Sequence, residues 1–503
     1  MTMKKIATSL YIAAAMLLLP ACSKQLNTAP SDAVTGDQLY GTVNALGTIY
    51  EGTWAAMMDS YWGDIFGNPG FRTIGLVSDA MGDDAALIPN KYGYRDAYPF
   101  TEINDKTRSR VAAIWATVYK VVNNMNIILA HADAAQGDAA SRNVLKGQAM
   151  ALRADMYLTL ASFYQFSYLK DSTAKAVPIY TQPASDTTQG RPRATLKEIY
   201  AQVFADLTQA ETLLQGYSRP SKYKIDVNVV NGLLARAYLN TGRWAQAAAA
   251  AVKARDGYSF MSASDYAKGF NDINNSEWIW GEPETTVQRT GSDAFHFLDV
   301  TNDGSYYYSF MADPFFMQLF DDGDYRKALF SWDADAGREG YLQYRKFLFR
   351  GDLTADLVLM RSAEEYLIEA EGNARAGNTG AAVTALNTLK AARNAKAYDP
   401  AGKTPQDLID AILVERRKEL FGEGFALADI IRNQLSVVRK PYVDGQGHDI
   451  LVTIVQDGVS KQVPARYHTV RNFPDKSAFV ANSPYYIFSI PLVEEQNNPN
   501  LYK

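Results

Sequence analysis

Apolar positions recur at helical spacing through the first half of the chain, with Leu39, Val43, Leu46, Ile49 and Tyr50 forming one series. Val111, Ile114, Trp115, Val118, Val122 and Met125 form another. Further periodic stretches predict helices at about 142–165, 195–215, 228–256, 357–377, 379–395 and 405–421. Long segments rich in Gly, Asp, Asn and aromatic residues separate them, at about 60–105, 258–350 and 440–485. Strands do not alternate with helices, which argues against a doubly wound α/β fold. One unit repeats. From Leu234 to Ala247 a helix closes at Gly242, and a second begins at once with small residues. The same grammar returns from Ala370 to Ala382, with Gly377 in the Gly242 position. Helix hairpins of this tetratricopeptide kind stack to bury each other's faces.

The first 22 residues carry a different signal. Lys4 and Lys5 precede an apolar run from Leu10 to Leu19, and Ala21-Cys22 follow. The run is a secretory segment, because a membrane span needs roughly 20 residues. Cys22 is the only cysteine, so it forms no internal disulfide. Leu19-Pro20-Ala21-Cys22 resembles a bacterial lipobox. Residues 1–21 are therefore expected to be a lipoprotein signal peptide, and Cys22 the lipidated residue. Residues 22–35, polar and interrupted by Pro30, are expected to be a tether.

Composition removes several functions. A net charge of −5 with scattered Lys and Arg gives no footprint for nucleic acid. The four histidines, His131, His296, His448 and His468, are isolated, so no metal site is expected. No GxSxG, P-loop or GxGxxG motif occurs, and no cofactor is implied. A glycoside hydrolase needs only two carboxylates and leaves no short motif, so it stays as a rival. Its candidate acids are Asp83, Asp84, Glu282, Glu284, Asp321, Asp322 and Asp324, which otherwise read as loop acids or helix caps. Glu415, Arg416, Arg417, Glu419, Asp429 and Arg432 read as a salt-bridge face that fixes neighbouring helices.

Three C-terminal stretches resemble the SusD/RagB family of outer-membrane nutrient-binding lipoproteins. They are Leu357-Val358-Leu359-Met360-Arg361 running into Glu364-Glu365-Tyr366, Glu415-Arg416-Arg417-Lys418-Glu419-Leu420-Phe421-Gly422, and Phe488-Ser489-Ile490-Pro491-Leu492. Trp115 to Asn126, Ala149 to Ala154 and Ser276 to Trp280 match in the same order, so the resemblance covers essentially the whole mature chain. It implies a SusD-like domain over 36–503, with an N-terminal part at about 36–220 and a C-terminal part at about 270–503. The expected fold is mainly α, a helical scaffold with tetratricopeptide-like helix hairpins and a loop-rich ligand-binding region. The implied protein is not an enzyme. It captures oligosaccharide at the cell surface, held to the outer membrane by lipid, and delivers it to a SusC-like TonB-dependent transporter. A peptide or other non-sugar ligand is the alternative within the resemblance.

Sugar rings present C–H faces edged by hydroxyls, so proteins hold them with aromatic plates and polar rims. Two aromatic loop stretches qualify. One holds Tyr61, Trp62, Phe66 and Asn68, then Asp83, Asp84, Tyr92, Tyr94, Arg95 and Tyr98. The other holds Phe295, His296, Phe297, Asn302 and Asp303, then Tyr306, Tyr307 and Tyr308.

Overall fold

The computed structural model describes residues 39–59, 61–89, 91–286, 291–301 and 305–503. The expected signal peptide, Cys22 and the tether lie outside these residues, as do Asn302 and Asp303. Helix α1 (Val43–Met58), α2 (Arg72–Ala80) and strand β1 (Ala85–Leu87) come first. Then follow α3 (Ser109–His131), α4 (Ala139–Phe163), α5 (Leu196–Leu213), α6 (Val227–Asn240) and α7 (Trp244–Ala254). The middle of the chain holds α8 (Ala263–Tyr266), β2 (Trp278–Glu282), α9 (Phe295–Leu298), β3 (Phe310–Ala312), α10 (Pro314–Met317), β4 (Phe330–Trp332) and β5 (Leu342–Tyr344). Strand β6 (Leu357–Arg361) runs into α11 (Ser362–Arg375), before α12 (Thr379–Ala392), α13 (Pro405–Leu420) and α14 (Ala426–Arg432). The hairpin β7 (Leu451–Gln456) and β8 (Val459–Pro464) precedes α15 (Leu492–Asn497).

Local chemistry sets these boundaries. Thr42, Asp138, Thr195, Asp226 and Thr404 accept from free N–H groups at the starts of α1, α4, α5, α6 and α13. Thr195 with Glu198 and Thr404 with Asp407 close full capping boxes. The two predicted hairpins end alike. Gly242 and Gly377 stand at φ 73° and 84°, where a side chain would be strained. The Arg243 N–H then donates to the Tyr238 carbonyl at 2.9 Å, and the Asn378 N–H to the Asn373 carbonyl at 2.8 Å. Thus α6 returns on α7 and α11 on α12, while α7 packs against α11 and joins the two hairpins. Before them α3, α4, α5 and α6 pack in sequence.

Two expectations change. The 357–377 segment is not one helix, because Leu357–Arg361 is strand β6, paired antiparallel with β2. A short apolar run buried on both sides carries no periodicity that separates strand from helix. The loop-rich 258–350 stretch also holds strands, and β1, β3, β5 and β4 form a four-stranded sheet in that order. Among the described residues, no helix is long and apolar enough to cross a membrane.

The predicted salt-bridge face lies mostly in the interior. Arg326, Arg361 and Arg393 are fully buried. Glu419 accepts from all three, at 2.5 Å from Arg326, 2.5 Å from Arg361 and 2.8 Å from Arg393. Glu277, Glu415, Glu423 and Asp324 supply the other buried carboxylates and Lys346 and Lys418 the other buried cations, while Lys390 joins at the edge between Glu415 and Asp321, so the charges balance. Arg432 binds Glu371 and Asp429, and Arg416 binds Asp429, which ties α14 to α11 and α13.

Candidate functional site

The two aromatic loop stretches meet. Phe66 from the 61–68 segment lies 5.8 Å from Tyr307, and Tyr92 from the 91–94 turn lies 5.4 Å from Tyr307. Phe66 also approaches Tyr61, Tyr92 and His296 at 5.5, 6.4 and 6.3 Å. Behind this layer Phe297 stacks on Tyr307 at 5.1 Å with an interplanar angle of 11°. His296 stacks on Tyr306 at 4.1 Å and meets Phe349 at 4.9 Å. Tyr61, Tyr92 and Tyr306 are 49%, 44% and 65% exposed, so the layer presents rings to solvent rather than closing over them.

The support for this layer comes from α3. Arg110, buried near its N-terminus, donates Nε to Asn68 Oδ1 at 2.7 Å and Nη1 to Glu102 at 2.6 Å. Its Nη2 donates to the carbonyls of Gly67 at 3.2 Å and Gly93 at 2.7 Å. The planar guanidinium therefore ties the Phe66 segment to the Tyr92 turn, and it also covers the Tyr94 ring at 4.5 Å. Gly93 makes the turn possible. Its φ is 104°, and a Cβ there would lie 2.4 Å from Phe297 Cε1.

Polar groups edge the rings. Lys91 Nζ sits 4.3 Å from the centre of the Tyr308 ring and donates to the Tyr308 hydroxyl at 3.1 Å. Arg338 covers the same ring at 4.0 Å. Burial first, and then Tyr92, push the Tyr307 hydroxyl above its ordinary value, so it remains a neutral donor near neutral pH. Such a surface offers flat apolar faces, hydroxyl donors and acceptors, and cationic edges, the requirements of a ligand with C–H faces and many hydroxyls.

Of the sequence candidates, Phe66, Tyr92, Tyr306 and Tyr307 come together here, with Tyr308 at the edge held by its two cations. Arg95 is exposed in the same turn. Four others are interior. Trp62 is buried, and Asn68 spends its amide on the Trp62 carbonyl at 2.7 Å. The Tyr94 hydroxyl donates to the Gly67 carbonyl at 2.9 Å, and the Tyr98 hydroxyl meets His468 Nδ1 at 2.8 Å. Asp83 and Asp84 stand elsewhere, lining a cavity of about 390 Å³ beside α13. There Arg417 binds Asp84 at 2.5 and 3.1 Å, while burial pushes the Asp83 carboxyl up to about 6 against the pull of Arg417. Lys91, Phe349, Arg338 and the Arg110 clamp were not legible as site residues. Lys91 alone had a signal, its place beside Tyr92.

The acids of the hydrolase rival are dispersed. Glu282 and Glu284 are buried, and burial, then Glu51, push Glu282 up to about 8. Asp324 has both oxygens on Arg326, and Asp322 pairs with Lys327. Among the described residues no cluster of His, Cys, Asp and Glu suits a metal ion.

A family model described as starch-binding associating with outer membrane matches residues 77–239, and the SusD family model matches residues 348–503. A solved SusD-like carbohydrate binding protein from Bacteroides vulgatus is 42% identical, with a TM-score of 0.86 over 92% of this chain and 98% of that one. A putative sugar binding protein from Bacteroides vulgatus is 25% identical, with a TM-score of 0.73 over 92% and 98% of the two chains. A SusD superfamily protein from Bacteroides thetaiotaomicron shares the fold at 24% identity, with a TM-score of 0.72 over 92% and 99%. A comparison with curated proteins gives no match. With the helical scaffold, the two hairpins and 42% identity along nearly the whole of a solved relative, the chain belongs to the SusD/RagB family.

Proposed function

We propose that this protein captures oligosaccharide on the aromatic surface formed by Phe66, Tyr92, Tyr306 and Tyr307, and passes it on without altering it. The observation that carries the reading is the convergence of exposed Tyr92 and Tyr306 with half-buried Phe66 and Tyr307, from two distant loops. The similar Bacteroides vulgatus proteins are named as carbohydrate and sugar binding, which supports the same ligand class. Lipid on Cys22 holds the chain to the outer membrane at the cell surface, beside a SusC-like TonB-dependent transporter that receives the ligand. Tethering keeps a weakly bound ligand at high local concentration near the importer. Prolonged incubation with a panel of glycans and peptides, read by chromatography and calorimetry, tests the reading. Binding of a glycan with no new products supports it. Shorter products that vanish on mutating one acid favour the hydrolase, and binding to peptides alone favours a non-sugar carrier.

A further inference from the structure

A second aromatic groove, of about 510 Å³, opens where the end of α4 meets the 103–106, 484–490 and 495–502 segments. It shares no lining residue with the first surface. Tyr164 lies buried in it, the Phe166 and Tyr485 rings are half-buried, and Tyr502 is 60% exposed. Tyr485 has support behind it, stacking on the buried Phe473 at 4.7 Å, while the exposed Lys170 lies over Phe166 at 3.8 Å. Rings fixed in this way lose little entropy when a flat apolar face settles on them.

The rim is polar and carries both signs. Glu495 accepts from Lys106 at 2.6 Å and from the Tyr502 hydroxyl, and Arg193 covers the Tyr502 ring at 4.9 Å. Asn104 adds an amide. Two lining side chains, moreover, carry a buried donor with no partner among the described residues, the Tyr164 hydroxyl and Arg193 Nε. This composition discriminates among ligands. A hydrocarbon would strand the polar rim. A phosphate or polyanion would find Lys106 already paired with Glu495, leaving Arg193 as the one cation of the lining. A sugar chain satisfies both parts, placing C–H faces on the rings and hydroxyls against Asn104, Arg193 and Glu495. We propose that this groove is a second carbohydrate site, which engages a distant part of a long glycan or a second chain.

The test uses affinity electrophoresis and calorimetry with a long polysaccharide and with short oligosaccharides of the same linkage. Tyr502→Ala changes an exposed ring, and Tyr485→Ala changes a half-buried one, so the first keeps the test valid should the second unfold. Each is expected to weaken polysaccharide binding about fivefold, the size of one aromatic contact, with an unchanged melt for Tyr502→Ala. In a Tyr92→Ala/Tyr307→Ala background the residual glycan binding should persist and then vanish on adding Tyr502→Ala and Tyr485→Ala. Unchanged affinity for every glycan in both groove variants overturns the proposal. Loss of a co-purifying membrane partner with full glycan affinity also overturns it and marks the groove as a protein interface. Absence of any glycan binding by the wild-type chain overturns the first site as well, whereas failure of the groove variants alone leaves that site standing.

Discussion

Arg361→Met removes one cation from the buried ion network while nearly keeping its apolar stem. Arg361 is fully buried and donates to Glu277 at 2.7 Å, to Glu419 at 2.5 Å and to Glu423 at 2.8 and 2.6 Å. The substitution leaves these three carboxylates sharing too few positive charges in a medium that solvates them poorly. Removing one member of a buried pair costs about 3–5 kcal/mol, because the surviving charge stays desolvated. Whole domains are stable by only about 5–15 kcal/mol, so the loss is a large fraction. At roughly 2–4 °C per kcal/mol for large domains, scanning calorimetry should show a melt lowered on the order of 10 °C. Lys327→Met is the control, since its partner Asp322 is fully exposed, and its melt should not move. Adding Glu277→Gln to Arg361→Met removes one surplus negative charge, and should leave the pair more stable than the sum of the single losses by about 0.5–3 kcal/mol. A melt for Arg361→Met within about 2 °C of wild type would refute the reasoning that Arg361 keeps these buried carboxylates neutralised.

Further outcomes follow from the same structure. Stability should depend on pH in two opposed ways. Burial pushes the Asp79 and Asp313 carboxyls up to about 7 and Glu282 up to about 8, so the stability they contribute is complete at low pH and lost as pH rises through those values. Burial would also raise Glu371 and Glu415, but Arg432 and Arg326 hold them down to about 2, so their contribution is lost as pH falls from 4.5 toward that value. The melting temperature should therefore peak near about pH 5, and a steady rise from pH 5 to 8 would contradict this. Gly93→Ala should displace Phe297 from beneath Tyr307 and weaken glycan binding at least as much as losing one ring, and wild-type affinity in that variant would show the turn is not what places the ring. Cys22→Ser should release soluble protein or leave unprocessed precursor, and a processed variant in the membrane fraction would rule out the lipid anchor.

The long helices were legible because their apolar faces repeat over many turns. The hairpins were legible too, since a glycine followed by small residues states both the left-handed turn and the close approach. Strand β6 was not, because Leu357 to Met360 is apolar throughout. In the loops, residue type marked a candidate surface but not which rings face outward. Trp62 and Tyr94 belong to the same stretch as Phe66 and Tyr92, yet they turn inward because Arg110 gathers the Gly67 and Gly93 carbonyls around itself. Arg110 reads in the sequence as one more charge near a helix start, and no local pattern links it to a turn far away in the chain. The same limit applies to Asp83 and Asp84, which lie between Asn68 and Tyr92 in sequence but fold against Arg417.

Isothermal titration of the mature chain with a glycan it binds, repeated for Tyr92→Ala/Tyr307→Ala, decides whether the ligand sits on this aromatic surface. Tyr92 is exposed but Tyr307 is half-buried on Phe297, so the melt of the variant is read first and affinities are compared for the folded protein. The account predicts a loss of affinity on the order of tenfold or more, from two aromatic contacts of about 0.5–1.5 kcal/mol each beyond their buried area. Undiminished affinity in a folded variant would contradict the assignment of the ligand to this surface.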